Sequence, residues 1–257
     1  MNILETKGLT KSFGGVTANS NLDICIKKGS VTGLIGPNGS GKTTFINVVS
    51  GVYPATSGKV IFDGKDITSL DKYKIARAGI ARTFQTIRLF ERLSVLETVL
   101  VARHASYGAS IWDAVLSTSR LRAANAREEA RAKELLEIVG LGKQHYDVLG
   151  NSLPYGYRRS LEIARALALE PSLLLLDEPA AGMNREEFNF LQEIIQNVKQ
   201  QGITILLVEH TMELVEAVVD HCVVLNYGQK LTEGPFCDCE SDPRVIEAYL
   251  GKEDAEC

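Results

Sequence analysis

No stretch of the 257-residue chain reaches the ~18 consecutive apolar residues that span a bilayer as a helix. The best apolar runs, Leu173–Leu176 and Ile203–Val208, have the length of strands. A membrane role therefore has to come through a partner. Met1–Ser12 carries polar residues throughout and lacks the apolar segment of an export signal, so an intracellular protein is expected. The five cysteines, at 25, 222, 237, 239 and 257, are odd in number and scattered, which favours reduced thiols over a disulfide framework. Cys237 and Cys239 form a lone C-x-C, expected to be loop thiols rather than metal ligands. A basic excess is also missing. Lys and Arg number 28 against 32 Asp and Glu, net −4, so nucleic acid is not an expected partner. There is no internal repeat and no low-complexity segment.

What is present is an ordinary globular composition, 45% hydrophobic and 23% charged, with enough length for a sizeable core. Residues 1–35 read as short strands with Gly-containing turns, Asn21–Ile26 alternating as a half-buried strand does. Ser30–Ile35 reads as a core strand, Thr43–Ser50 as a helix, and Val60–Phe62 as a strand before the turn Asp63-Gly64. From 71 to 150 helical patterning dominates, with little strand signal. Arg127–Val139 is a charged amphipathic helix stopped by Gly140. Leu173–Leu176 is continuously apolar, as in a parallel sheet covered on both faces. Glu186–Gln200 reads as a helix, Ile203–Val208 as a buried strand, and 223–233 as a hairpin around Tyr227-Gly228. The pattern is an α/β core with an inserted helical subdomain.

Gly36-Pro37-Asn38-Gly39-Ser40-Gly41-Lys42-Thr43 fits G-x-x-x-x-G-K-[ST] in full, between a strand and a helix that Thr44 continues. Glycines there let successive N–H groups turn inward as an anion nest at a helix N-terminus. Lys42 suits the β/γ-phosphates and the Thr43 hydroxyl suits Mg²⁺. Downstream, the apolar strand 173–176 ends in Asp177-Glu178-Pro179. An Asp at such a strand end can hold Mg²⁺, and the neighbouring Glu can activate a water. Gln85, after Arg82-Thr83-Phe84, is a candidate metal and γ-phosphate sensor. His210 follows a buried strand on the sheet edge where α/β ligands bind, a candidate γ-phosphate contact.

These elements, in this order and with a segment Leu153-Pro154-Tyr155-Gly156-Tyr157 between them, resemble the ATP-binding cassette (ABC) family over nearly the whole chain. The resemblance implies a RecA-like P-loop core with an antiparallel β part and a helical subdomain. It implies one domain over 1–257, with 1–84 and 163–257 as core and about 85–162 as the helical part. It implies ATP and Mg²⁺ as ligands and two cassettes pairing head to tail, each ATP held between one P-loop and the partner's 153–157 segment. Leu153, Tyr155, Gly156 and Tyr157 thus become nucleotide contacts, and Phe13, in Lys11-Ser-Phe13-Gly-Gly15, becomes the aromatic that stacks on adenine. The family pattern Leu-Ser-Gly-Gly-Gln is altered here. Pro154 offers neither hydroxyl nor N–H, so one charge-assisted hydrogen bond, ~1.5–3 kcal/mol, is missing from each closed site. Asn184 stands where the family commonly has Asp.

Within the family the chain is similar to the ATPases of branched-chain amino-acid importers. Gly79–Phe90, Tyr155-Gly156, Ala180-Ala-Gly182 and Val245–Gly251 carry that likeness, as does the long insert at 104–135. It implies permease partners in the membrane, an indirect solute-binding protein, and a place on the cytoplasmic face. Segment 86–100 reads equally as a groove for a permease helix and as a core-facing helix. Urea or amide importers remain open. So does a non-transport cassette, though the paired cassettes, coiled coil or basic surfaces usual there are not visible. A P-loop kinase would lack the 153–157 element and the late His.

Overall fold

A computed structural model of the chain describes residues 1–84, 89–90, 92–107 and 119–250. Its strands are β1 (Asn2–Phe13), β2 (Val16–Leu22), β3 (Cys25–Lys27), β4 (Val31–Ile35), β5 (Ser57–Phe62), β6 (Lys65–Asp66), β7 (Ile80–Arg82), β8 (Leu173–Asp177), β9 (Thr204–Val208), β10 (His221–Asn226) and β11 (Gln229–Gly234). They form two sheets. One runs β11-β10-β4-β9-β8-β7, and the other β2-β1-β5-β6 with β3 also on β1. In the first sheet β10, β4, β9, β8 and β7 are mutually parallel and β11 closes one edge antiparallel.

β4, β8 and β9 are buried at all five positions each. Alternate side chains serve opposite faces, as strand geometry requires. Leu174, Leu176, Ile205 and Leu207 join a core built with the helices Val95–Tyr107, Ser119–Ile138, Tyr155–Leu167 and Arg185–Gln200. Leu173, Leu175, Leu206 and Val208 face Phe45, Ile46 and the antiparallel sheet. A continuously apolar strand is the consequence of having both faces covered. Truncating one of these leucines to Ala typically costs about 2–5 kcal/mol.

Parallel strands put all their C-terminal ends on one sheet edge, where loops can converge on a ligand. The register makes this concrete. Val208 pairs with Leu34 on one side and Asp177 on the other. The residues after β4, β9 and β8 therefore emerge side by side.

The elements depart from the sequence reading in three places. Asn21–Ile26 is not one strand. β2 pairs with the second half of β1 and β3 with the first, and the chain steps across between them, Asp23 Oδ1 accepting the Gly8 N–H at 2.6 Å. The predominantly helical region begins after a further strand, β7, only three residues long and too short for periodicity to show. Cys237 and Cys239 are not loop thiols. They lie on the helix Phe236–Glu240, with Cys239 buried against β10. Burial pushes the Cys222 thiol up to about 12 and the Cys239 thiol to about 11. Among the described residues no cluster of three potential metal-ligating side chains occurs, and no helix is long and apolar enough to cross a membrane. Gly140 ends its helix as expected, at φ 75° with the Leu141 N–H on the Leu136 carbonyl.

Candidate functional site

The loop after β4 turns on glycines with no alternative. Gly36 (φ 145°) and Gly41 (φ 102°) are in conformations L-residues rarely adopt. A Cβ on Gly36 would lie 2.1 Å from the Leu225 carbonyl oxygen, and one on Gly41 2.4 Å from that of Ala18. Asn19, fully buried on β2, donates from Nδ2 to the Gly41 carbonyl at 3.1 Å and pins the loop to the antiparallel sheet. The helix Lys42–Val49 starts here with no side-chain cap, so its first amides are left to a ligand. Lys42 is buried, and its ammonium donates to the carbonyls of Gly36 (2.7 Å) and Pro37 (3.0 Å). Burial pulls its pKa down while Glu178 and Asp177 pull it back up. Ser40 Oγ is buried and has no protein partner. Gly39, Lys42, Thr43, Thr44 and Glu178 border a cavity of ≈ 180 Å³.

Asp177 ends β8, with its side chain 3% exposed. Arg82, at the end of β7, meets it at 2.8 Å and also donates to Asn47 Oδ1 (2.6 Å) and Ser50 Oγ (3.1 Å) at the end of the loop's helix. Glu178 has φ 47°, a strained conformation for a non-glycine, worth on the order of 1–3 kcal/mol. Its N–H donates to the Val208 carbonyl at 2.9 Å. His210 Nδ1 lies 3.9 Å from Glu178 Oε1. Glu209, fully buried, accepts from Ala180 N–H at one oxygen and from His210 and Thr211 N–H at the other, locking the two loops together. One sheet edge thus gathers an anion nest, two cations and three carboxylates, with an imidazole beside them.

The 153–157 segment opens a helix. Pro154 is the N-cap and the helix is Tyr155–Leu167. Leu153 is buried, and the Tyr155 hydroxyl donates to the Ala181 carbonyl at 2.9 Å. Gly156 N–H donates to Glu187 Oε1 at 2.8 Å. The same carboxylate completes a capping box with Asn184 at the start of Arg185–Gln200. Tyr157 packs between His145 (4.8 Å) and Phe190 (5.4 Å). Pro154, Gly156 and Tyr157 border a separate opening with Asn184 and Glu187, and the segment does not border the cavity at the loop. Phe13, 43% exposed at the tip of β1, meets Tyr53 edge-on at 5.2 Å, with Lys11 Nζ 4.8 Å above its ring. Gln85 lies outside the described residues. Of segment 86–100, Val95 and Val99 are buried in the core and Phe90 is 47% exposed.

A sequence profile described as ABC transporter matches residues 19–181. The chain belongs to the ABC transporter family. The cassette is 39% identical over 251 residues to the high-affinity branched-chain amino acid transport ATP-binding protein BraF of Pseudomonas aeruginosa, covering 97% of this chain and 98% of that one. It is 40% identical over 256 residues to a probable branched-chain amino acid transport ATP-binding protein, LivG, of Archaeoglobus fulgidus, covering 100% and 98%. Its fold superposes on an ATP-binding cassette of an ABC transporter crystallised in its ADP conformation, with TM-score 0.84, 34% identity and coverage of 98% and 100%. The cassette binds ATP, and its activity is ATP hydrolysis coupled to transport.

Arg82, Asn19 and Glu209 were not singled out by the sequence. Glu209 had a usable signal, an acid directly after a buried strand. Arg82 had only its place three residues before Gln85.

Proposed function

We propose that the cassette powers import of branched-chain or related hydrophobic amino acids, pairing with a second cassette and bound by permease subunits at the cytoplasmic face of the membrane. The 39% and 40% identity to branched-chain amino acid transport ATP-binding proteins, over nearly the whole chain, carries this reading. In it, 1–84 and 163–257 form the nucleotide-binding core, and about 85–162 the helical part that faces partner and permease.

The site supports a division of labour. The loop amides from Gly36 to Thr44 and the Lys42 ammonium bind the phosphates. Ser40 Oγ, buried without a protein partner, fits a site completed by a polar ligand. Phe13 stacks on the base. Thr43 and Asp177 supply the hard oxygen donors suited to Mg²⁺, and the amide oxygen of Gln85 is a further donor of the same kind. When bound, the ion neutralises phosphate charge and orients the transferred group. Glu178 takes the proton of the attacking water, and its backbone strain fixes the carboxylate's aim. His210 holds the γ-phosphate. Leu153, Tyr155, Gly156 and Tyr157 shape the face that closes on the partner's nucleotide, Gly156 through its amide. Positioning and electrostatics supply most of the rate, with no covalent intermediate on the protein.

The test is reconstitution of the intact membrane complex into vesicles with ATP inside and labelled leucine or urea outside. ATP-dependent uptake of leucine, abolished by Lys42→Ala, is expected. Uptake of urea alone would transfer the cassette to another solute class. Purification with ribosomes or DNA and no permease would overturn the transport role.

A further inference from the structure

The three residues Arg82, Thr83 and Phe84 end at Gln85 and are gripped from two sides. On the nucleotide side Arg82 holds Asp177 at 2.8 Å, and Thr83 N–H donates to the Leu175 carbonyl at 3.0 Å. On the other side the grip comes from the helix Tyr155–Leu167. Phe84 N–H donates to Glu162 Oε1 at 3.1 Å, and Arg159 Nη1 donates to the Phe84 carbonyl at 2.8 Å. Arg159 and Glu162 bond each other at 2.7 Å, and both side chains are 1% exposed. They stand one turn apart on the helix that the 153–157 segment begins.

A buried ion pair is a poor way to gain stability. Desolvation consumes most of the attraction, and apolar replacements of similar volume often do as well. What such a pair can fix is geometry. Here it takes both backbone hydrogen-bonding groups of a single residue, Phe84, which is 45% exposed. The hold is thus on the backbone, not on a packed side chain. Burial pushes the Glu162 carboxyl's pKa up, against the opposing pull of Phe84 N–H, Arg159 and Arg165.

We infer that Arg159 and Glu162 are positioning residues that fix the Phe84 peptide, and so the point from which Gln85 departs, to the helix carrying the 153–157 segment. This rests on the role given to Gln85 above. Arg82 joins the same three residues to Asp177, so displacement of that helix reaches Gln85 and the metal carboxylate together.

The experiment is a double-mutant cycle on the full chain, using Glu162→Gln, Gln85→Ala and both, with phosphate release for turnover and a fluorescent ATP analogue for binding. Glu162→Gln is expected to lower kcat about 10-fold with nucleotide affinity within about 2-fold, and to add nothing in the Gln85→Ala background. Arg159→Lys, which keeps the charge but not the planar fork, gives a smaller loss with the same non-additivity and serves should Glu162→Gln not fold. Additive losses, or nucleotide affinity falling in step with kcat, would overturn the clamp. Full turnover by Gln85→Ala alone would instead remove Gln85 from the proposed mechanism, and the purpose of the clamp with it.

Discussion

The phosphate loop and the 153–157 segment both present a helix N-terminus without a side-chain cap, one opening at Lys42 and the other at Tyr155. At the first, a buried hydroxyl of Ser40 has no protein partner, and a Cβ on Gly39 would meet nothing within 4 Å. At the second, the chain supplies its own anion. Glu187 occupies the Gly156 amide, and the Tyr155 hydroxyl is spent on the Ala181 carbonyl. The difference teaches that equivalent backbone dipoles are not equivalent sites. One leaves a buried hydroxyl open, while the other already holds an internal partner.

The largest effect should fall on the phosphate-loop side. Glu178→Gln keeps the shape of the side chain but removes the base, so kcat should fall by roughly 10²–10⁴ while ATP still binds. Phosphate release against nucleotide fluorescence separates the two. A dimer persisting on gel filtration with Mg·ATP is expected, because closure occurs and hydrolysis does not. Normal turnover would remove Glu178 as the base.

Lys42→Ala comes next. It removes the cation from the cradle, and the carbonyls of Gly36 and Pro37 lose their donor. Loss of one or two charge-assisted bonds, ~1.5–3 kcal/mol, should weaken ATP binding roughly 10- to 100-fold. Calorimetric titration with ATP checks it, and unchanged affinity would place the phosphates elsewhere.

How much of this contrast could be read from residues alone differs between the two sides. The phosphate loop was legible because its chemistry is local: glycine conformations, a lysine and a threonine within eight positions. Asp177, Glu178 and His210 were legible because a buried parallel strand announces its own end. Arg82 was not, because its partners Asn47, Ser50 and Asp177 come from distant parts of the sequence and only the sheet register joins them. Glu187 was hidden for a similar reason. In sequence it is a first-turn helix acid, and only packing brings it to Gly156. The two-residue step between β2 and β3 escaped because alternation continues through it.

Glu187→Ala sharpens the comparison from the tied side. It breaks the capping box and the bonds to Asn184 and Gly156 N–H, costing about 1–2 kcal/mol and lowering Tm. It also frees the Gly156 amide for a phosphate of the partner's nucleotide. In a Glu178→Gln background the variant should therefore dimerise at lower ATP concentration despite its lower stability. Weaker dimerisation in step with Tm would mean that Glu187 supports the segment rather than occupying it.

Phe13 carries the smallest expected effect, because its ring is already engaged by Tyr53 in a T-shaped contact and by Lys11 over a face. Stacking of a base on an aromatic is worth about 1–3 kcal/mol, and a half-exposed ring sharing its faces belongs at the low end. Phe13→Ala should weaken ATP binding about 5-fold, with kcat at saturation unchanged, since the base is remote from the bond that breaks. Every base offers a π-face, so ATP and GTP should lose equally, whereas a hydrogen-bonded base would show a purine-specific loss. Phe13→Tyr should restore affinity because it keeps the ring. Loss with Ala that Leu restores as fully as Tyr would assign Phe13 to apolar packing against Tyr53, and the phosphate side would then carry nearly all of the nucleotide affinity.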